Sequence, residues 1–140
     1  MIDIIIDIET LGTKPNVPVI EIGACAINNR TGEIVSNFSR RVRSGYVFAD
    51  LLNRKAVEHC TPDMQATIKW WLEDSDRADT LRKIMPETSQ GVHPHATLLE
   101  FCDWFIAETV KANGEVRVWA NGPQFDLVIL QSHFDRYSIK

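Results

Sequence analysis

The sequence predicts an α/β fold on a mixed β-sheet, with elements in the order β-β-β-α-α-β-α. Three observations carry this. The first forty residues read as strands, with a hairpin signal between the second and third. From Thr61 onward the apolar residues recur at helical spacing. A short apolar strand near residue 118 then runs directly into a last helix.

Residues 2–8 alternate. Ile2, Ile4, Ile6 and Ile8 face one way, and Asp3, Ile5, Asp7 and Glu9 the other. A loop with Gly12, Pro15 and Pro18 follows, then a second strand over 19–28. Asn29-Arg30-Thr31-Gly32 is a hairpin turn, and 33–42 returns as the third strand, completing an antiparallel meander. Residues 44–60 carry no clear period. Thr61-Pro62-Asp63 opens a helix with a hydroxyl at N-cap, proline at N1 and an acid in the first turn. Met64, Ile68, Trp71 and Leu72 share one of its faces. Residues 75–95 read as a helix and a loop, and 96–111 as an amphipathic helix with Leu98, Cys102, Phe105 and Ile106 on its core face. The strand over 115–120 is broken by Asn121-Gly122-Pro123, and 125–137 is a helix apolar nearly all round.

Composition sets bounds on function. The 140 residues are 44% hydrophobic and 24% charged, which fits one globular domain and excludes a collagen-like chain or a coiled coil. No stretch approaches the ~20 apolar residues of a membrane span. Acids stand at Asp3 and Asp7 where a signal peptide carries basic residues, so secretion is not expected. Cys25, Cys60 and Cys102 are odd in number and far apart, and read as reduced thiols of a cytoplasmic protein. The net charge of −4 is unlike a basic DNA-binding module. It is compatible with a nucleic-acid enzyme whose site gathers carboxylates around metal ions.

The sharpest local signal is Asp7-Ile8-Glu9. Strand period two puts both carboxylates on one face, ~6.5 Å apart along the chain. Buried unpaired they would repel at high cost, and a hard divalent cation such as Mg²⁺ or Mn²⁺ is the natural remedy. A strand end running into solvent explains the pair equally. The second signal is Asn121-Gly122-Pro123-Gln124-Phe125-Asp126, which puts Asp126 in the first turn of a helix. A capping acid explains Asp126 alone, but not the asparagine and aromatic at this spacing.

Together, Asp7-Ile8-Glu9-Thr10 and Asn121-x-x-x-Phe125-Asp126 resemble the first two motifs of the DEDD 3′–5′ exonucleases, which have an RNase H-like fold. The longer run to Gly12-Thr13, the tandem Trp70-Trp71 and Trp119-Ala-Asn-Gly-Pro-Gln-Phe-Asp look closest to a phage and prophage branch. That branch includes exonuclease VIII-like, phage T4 exonuclease A-like and mycobacterial exoribonuclease proteins. The resemblance implies two-metal phosphodiester hydrolysis from the 3′ end of DNA or RNA, with two Mg²⁺ or Mn²⁺ ions per site. It implies that Asp7 bridges the ions, Glu9 binds one and contacts the 3′ end, and Asp126 holds the other through water. Thr10 and Leu11 would lie against the terminal nucleotide, with Asn121 and Phe125 shaping its pocket. Single strands or 3′ overhangs suit such a pocket better than intact duplex. The choice between DNA and RNA turns on 2′-hydroxyl contacts and stays open.

The resemblance also implies a third motif: a His or Tyr general base and a fourth Asp, four or five positions apart. His133 and Asp135 have the wrong spacing, and Tyr137 is followed only by Ser138, Ile139 and Lys140. The expectation is therefore one C-terminally incomplete exonuclease domain over 1–140, ending before a fifth strand and last helix, with no general base in the chain. An uncovered sheet edge and apolar helix would follow, and a homodimer would hide part of that surface. Activity of the chain would be weak or lost. The competing reading is a non-catalytic RNase H-like module that binds nucleic acid or protein. A haloacid-dehalogenase-type site needs an Asp where Glu9 stands and a downstream Lys, and does not account for Asn121, Phe125 and Asp126.

Other residues carry weaker signals. Trp70 and Trp104 read either as partly buried or as stacking surfaces for a base, and Trp71 as core. His93 and His95 read as a loop. Glu21 calls for a salt bridge. Arg40 faces opposite to Arg41 and Arg43, and the three read as a phosphate-contacting patch or as a charged strand edge.

Overall fold

The computed structural model describes residues 1–85 and 91–140. The isoleucine alternation becomes β1 (Ile2–Thr10), with Ile4, Ile6 and Ile8 buried. It pairs antiparallel with β2 (Val19–Asn28), which pairs antiparallel with β3 (Ile34–Arg41). The intervening turn places Gly32 at φ 74°, a left-handed conformation that suits glycine. A fourth strand, β4 (Val116–Ala120), runs parallel to β1, giving the order β3-β2-β1-β4. Among the described residues β4 is one edge of the sheet, and Val118 and Trp119 are exposed on it.

The unpatterned stretch 44–60 forms two short helices, α1 (Phe48–Leu52) and α2 (Arg54–Val57). Next come α3 (Pro62–Glu73), capped by the Thr61 hydroxyl on the Met64 amide, and α4 (Ser75–Ile84), capped by Asp74. Of the rest of the predicted 75–95 segment, residues 86–90 are not described, so its loop lies partly outside the described residues.

Helix α5 (Pro94–Lys111) starts two residues before its predicted start. His93 is its N-cap, through Nδ1 accepting from the His95 amide, a cap that Ser, Thr, Asp and Asn usually supply. So the two histidines belong to a helix start, not simply to a loop. The core face is also corrected. Leu98 and Phe101 are buried, Cys102 and Phe105 only half so, and Ile106 is 57% exposed. Phe101 wins because Phe38 of β3 meets it edge-on, with centroids 5.5 Å apart. Trp104 is half-buried beside both rings and donates to the Ser36 hydroxyl, so it is not a free stacking surface.

Helix α6 (Pro123–Arg136) buries Asp126, Ile129, Leu130 and His133 but exposes Val128, so it is covered on one face and not all round.

Two hydrophobic clusters result. One holds the inner isoleucines of β1 with Phe38, Leu98, Phe101, Ile129 and Leu130. The other gathers Leu11, Ile20, Phe48, Met64, Ile68, Trp71 and Leu81. Cys25, Cys60 and Cys102 are free thiols, as expected. Among the described residues no helix is long and apolar enough to cross a membrane.

Candidate active site

The C-terminal end of β1 meets the N-terminus of α6 through Asp126. One carboxylate oxygen accepts from the Ile8 amide (3.3 Å), between Asp7 and Glu9. The other accepts from the Gly122 amide (3.2 Å). Asp126 is only 3% exposed, so both bonds satisfy a buried carboxylate. It thus caps its own helix, as the simpler reading has it, and also fastens the two motifs together across 118 residues of chain.

A cavity of about 650 Å³ opens where they meet. Asp7, Glu9, Thr10, Asn121, Phe125 and Asp126 all line it. Leu11 does not: it is fully buried among Ile20, Phe48, Met64 and Trp71. The bulge after Glu9 changes the strand's register there, and Leu11 enters the second cluster instead of the cavity wall.

The opposite wall comes from α3, through Asp63, Ala66, Thr67, Trp70 and Trp71. The sequence offered only the tandem tryptophan as a hint of it. The indole N–H of Trp71 donates to the Thr10 carbonyl (3.0 Å), pinning the end of β1 to α3. Trp70 is 49% exposed, with the Arg77 guanidinium over its ring at 4.3 Å. Asp63 accepts from both the amide and the hydroxyl of Thr13. Burial works against its charge, but the bonds from Thr13 and Lys14 prevail and hold its carboxyl below the ordinary range. Gly12 sits where a Cβ would lie 2.6 Å from an Asp63 oxygen and 2.5 Å from Val17, so a larger residue there would displace both side chains.

The site is electrostatically unbalanced. Four carboxylates line it (Asp7, Glu9, Asp63 and Asp126), and among the described residues no lysine, arginine, histidine or tyrosine does. Burial, followed by the charges of Asp7, Glu21 and Asp126, pushes the Glu9 carboxyl up to about 7. Burial and then Asp126 push Asp7 up in the same sense. Glu21 has no salt bridge among the described residues: it lies opposite Glu9 in the register and accepts from Ser39. No three acidic, histidine or cysteine side chains among the described residues form a ready cation cage. His133 is buried away from the cavity against the Val17 carbonyl, and Tyr137 packs beside His93 and His95.

Residues 2–140 match the family model described as the 3′–5′ exoribonuclease Rv2179c-like domain. The chain belongs to that exonuclease family. It is similar to the exodeoxyribonuclease of Enterobacteria phage T4, with 30% identity over 134 residues. That alignment covers 93% of this chain and 54% of the phage protein, so the chain spans about half the length of that relative. Two solved structures share the fold. The nuclease domain of 3′hExo, a DEDDh family member bound to rAMP, matches 99% of this chain and 60% of its own, at TM-score 0.56 and 16% identity. Cell-death related nuclease 4 matches 99% of this chain and 40% of its own, at TM-score 0.57 and 17% identity. The DEDD-type, RNase H-like fold expected from the motifs is therefore shown.

Proposed function

We propose that residues 1–140 form one exonuclease domain that hydrolyses phosphodiester bonds from the 3′ end of single-stranded or overhanging DNA or RNA, using two divalent ions. The observation that carries this reading is Asp126 bonded to the Ile8 amide, which sets Asp7, Glu9 and Asp126 around one cavity.

The donor set fits Mg²⁺ or Mn²⁺. It consists of carboxylate oxygens only, carries uncompensated negative charge, and leaves room for water. Asp7 and Glu9 would hold the ions, with Asp126 contributing through its remaining lone pairs. Because no three such side chains converge among the described residues, water and phosphate oxygens would complete the coordination, as is usual for Mg²⁺. When bound, such ions lower the pKa of the attacking water and offset charge on the phosphoryl and leaving oxygens. The chain's own residues position the nucleotide. Phe125 and Asn121 form one wall and the half-exposed Trp70 the other, where the part of the indole left free by Arg77 and Trp71 would meet a base. Trp71 and Asp63 fix the loop that carries Thr10 and Thr13.

A specific observation favours a second reading, a module that binds nucleic acid without cutting it. No histidine or tyrosine among the described residues lines the cavity, and a general base contributes ~10²–10⁴ in rate. The test is incubation of the chain with 5′-labelled DNA and RNA oligonucleotides and Mn²⁺, beside Asp7→Ala. A ladder shortening from the 3′ end and lost in the variant supports the exonuclease. Binding with no ladder supports the second reading.

A further inference from the structure

The catalytic cavity repels a polyanion until cations arrive, so a bound strand needs positive charge elsewhere. The three arginines near the end of β3 divide in the structure. Arg40 pairs with Glu100 at 2.6 Å, and Arg41 lies opposite Glu21 in the register. Arg43 instead lines a cleft of about 170 Å³ together with Arg136 from the last turn of α6. Neither Arg43 nor Arg136 is in a salt bridge among the described residues, and no acidic side chain lines this cleft. Another cleft that holds basic residues, at Arg54 and Lys69, also holds Glu58 and Glu73, and Lys69 is paired with Glu73.

We propose that the Arg43–Arg136 cleft binds a backbone phosphate of the strand whose 3′ end occupies the catalytic cavity. This rests on the nuclease-family reading of that cavity. The size fits one anionic group: the cleft is well below the ~300 Å³ at which pockets for whole small molecules begin. Two guanidiniums are the preferred donors for a phosphate, and Asn16 and Ser44 add polar atoms to the wall. Pro94 at N1 of α5 lies in the same wall, which puts the positive end of that helix dipole beside it.

The cleft is also tied to the catalytic cavity by one loop. Thr13 lines the cavity and Asn16 lines the cleft. Three residues span at most about 11 Å, so the two sites are within a short stretch of nucleic-acid backbone. The loop is held from the α6 side. The Ser132 hydroxyl accepts from the Asn16 amide at 2.8 Å, and His133 Nε2 bonds the Val17 carbonyl at 2.8 Å. Arg43 is held from the other side by its amide on the Val92 carbonyl, also at 2.8 Å.

The test compares wild type with the double variants Arg43→Ala/Arg136→Ala and Arg43→Lys/Arg136→Lys. Binding of a fluorescent single strand of about 12 nucleotides is measured in EDTA across a salt series. Both arginines are exposed, so the thermal melts should superimpose. The alanine pair should weaken binding by about tenfold for any base sequence and flatten the salt slope by about 0.7 for the phosphate released. The lysine pair should keep most of the slope. Unchanged binding with the alanine pair overturns the proposal. So does a thermal stabilisation by inorganic phosphate that the alanine pair abolishes while strand affinity stays the same, since that assigns the cleft to free phosphate. Failure of the nuclease reading shows separately, as no Mn²⁺-dependent shortening by wild type, and leaves the EDTA comparison standing.

Discussion

The two walls of the acidic cavity are built on different physics. The sheet wall, with β1 and α6, carries the charge: Asp7, Glu9 and Asp126 stand on the rim of a core of isoleucine and phenylalanine. The helical wall, with α3, carries the anchors: Trp71 on the Thr10 carbonyl and Asp63 on Thr13. The first wall is strained, because like charges are held together. The second is held by hydrogen bonds, because Asp63 and the Trp71 indole each have a partner. Substitutions on the sheet wall should therefore cost activity and spare stability, and those under the helical wall should do the reverse.

The largest expected effect breaks the helical wall. Trp71→Ala removes a buried ring and leaves the Thr10 carbonyl unpaired, at a cost of about 3–5 kcal/mol in denaturant unfolding. Leu11→Ala should cost about 2–5 kcal/mol for the same reason. If Leu11→Ala instead left stability intact and lowered only substrate affinity, its place in the core would be wrong. On the sheet wall, Asp7→Asn should lower hydrolysis by about 10²–10³-fold or more while leaving the unfolding midpoint equal or higher, because repulsion is relieved. A Asp7→Asn protein that melts well below wild type would erase the distinction between the walls.

The same division explains what was legible in the sequence. Strand period two exposed Asp7 and Glu9 directly, and the hairpin turn fixed β2 and β3 nearly to the residue. Asp126 was visible through its spacing to Asn121 and Phe125. The helical wall was visible only as a helix with a tandem tryptophan, and its place at the cavity was not, because that is set by contacts about fifty residues apart with no local signature, such as Thr13 with Asp63. Leu11 was placed at the nucleotide only through the family resemblance, and the bulge after Glu9 turns it into the second cluster instead. Helix α5 has apolar residues on more than one side, so its buried stripe was decided by Phe38 and not by its own pattern. Glu108 is buried on that helix and paired with Lys111, a pairing that composition does not announce.

Trp70 sharpens the comparison, since it stands on the helical wall but is exposed. Trp70→Ala should cost about 1–2 kcal/mol of stability, less than Trp71→Ala, because the ring is half exposed but gives up its contacts with Arg77 and Trp71. It should weaken oligonucleotide binding by about 1–3 kcal/mol if a base stacks on the indole. Loss of stability without loss of binding would make Trp70 only a support for Arg77.

The smallest expected effect is the dependence of stability on pH and metal. Glu9 titrates near 7 in the folded chain against an ordinary 4.5, so between these values the folded state holds more of its proton than the unfolded state does. Its stabilising contribution is full below the ordinary value and is lost as pH rises through about 7. Asp7 acts in the same direction. His133 opposes them: burial holds it below its ordinary 6.5, and that contribution is lost as pH falls. The wild-type curve alone is therefore ambiguous, but Glu9→Gln shares His133 and removes only the carboxylate. Without metal, the variant should gain stability over wild type as pH is raised from about 5 to about 8. Mn²⁺ should stabilise wild type at the upper end more than the variant, because the ion takes over the role of the proton. If the two proteins run parallel across the whole range, with Mn²⁺ and without it, Glu9 is a solvated acid at a strand end and the charge on the sheet wall stores no repulsion.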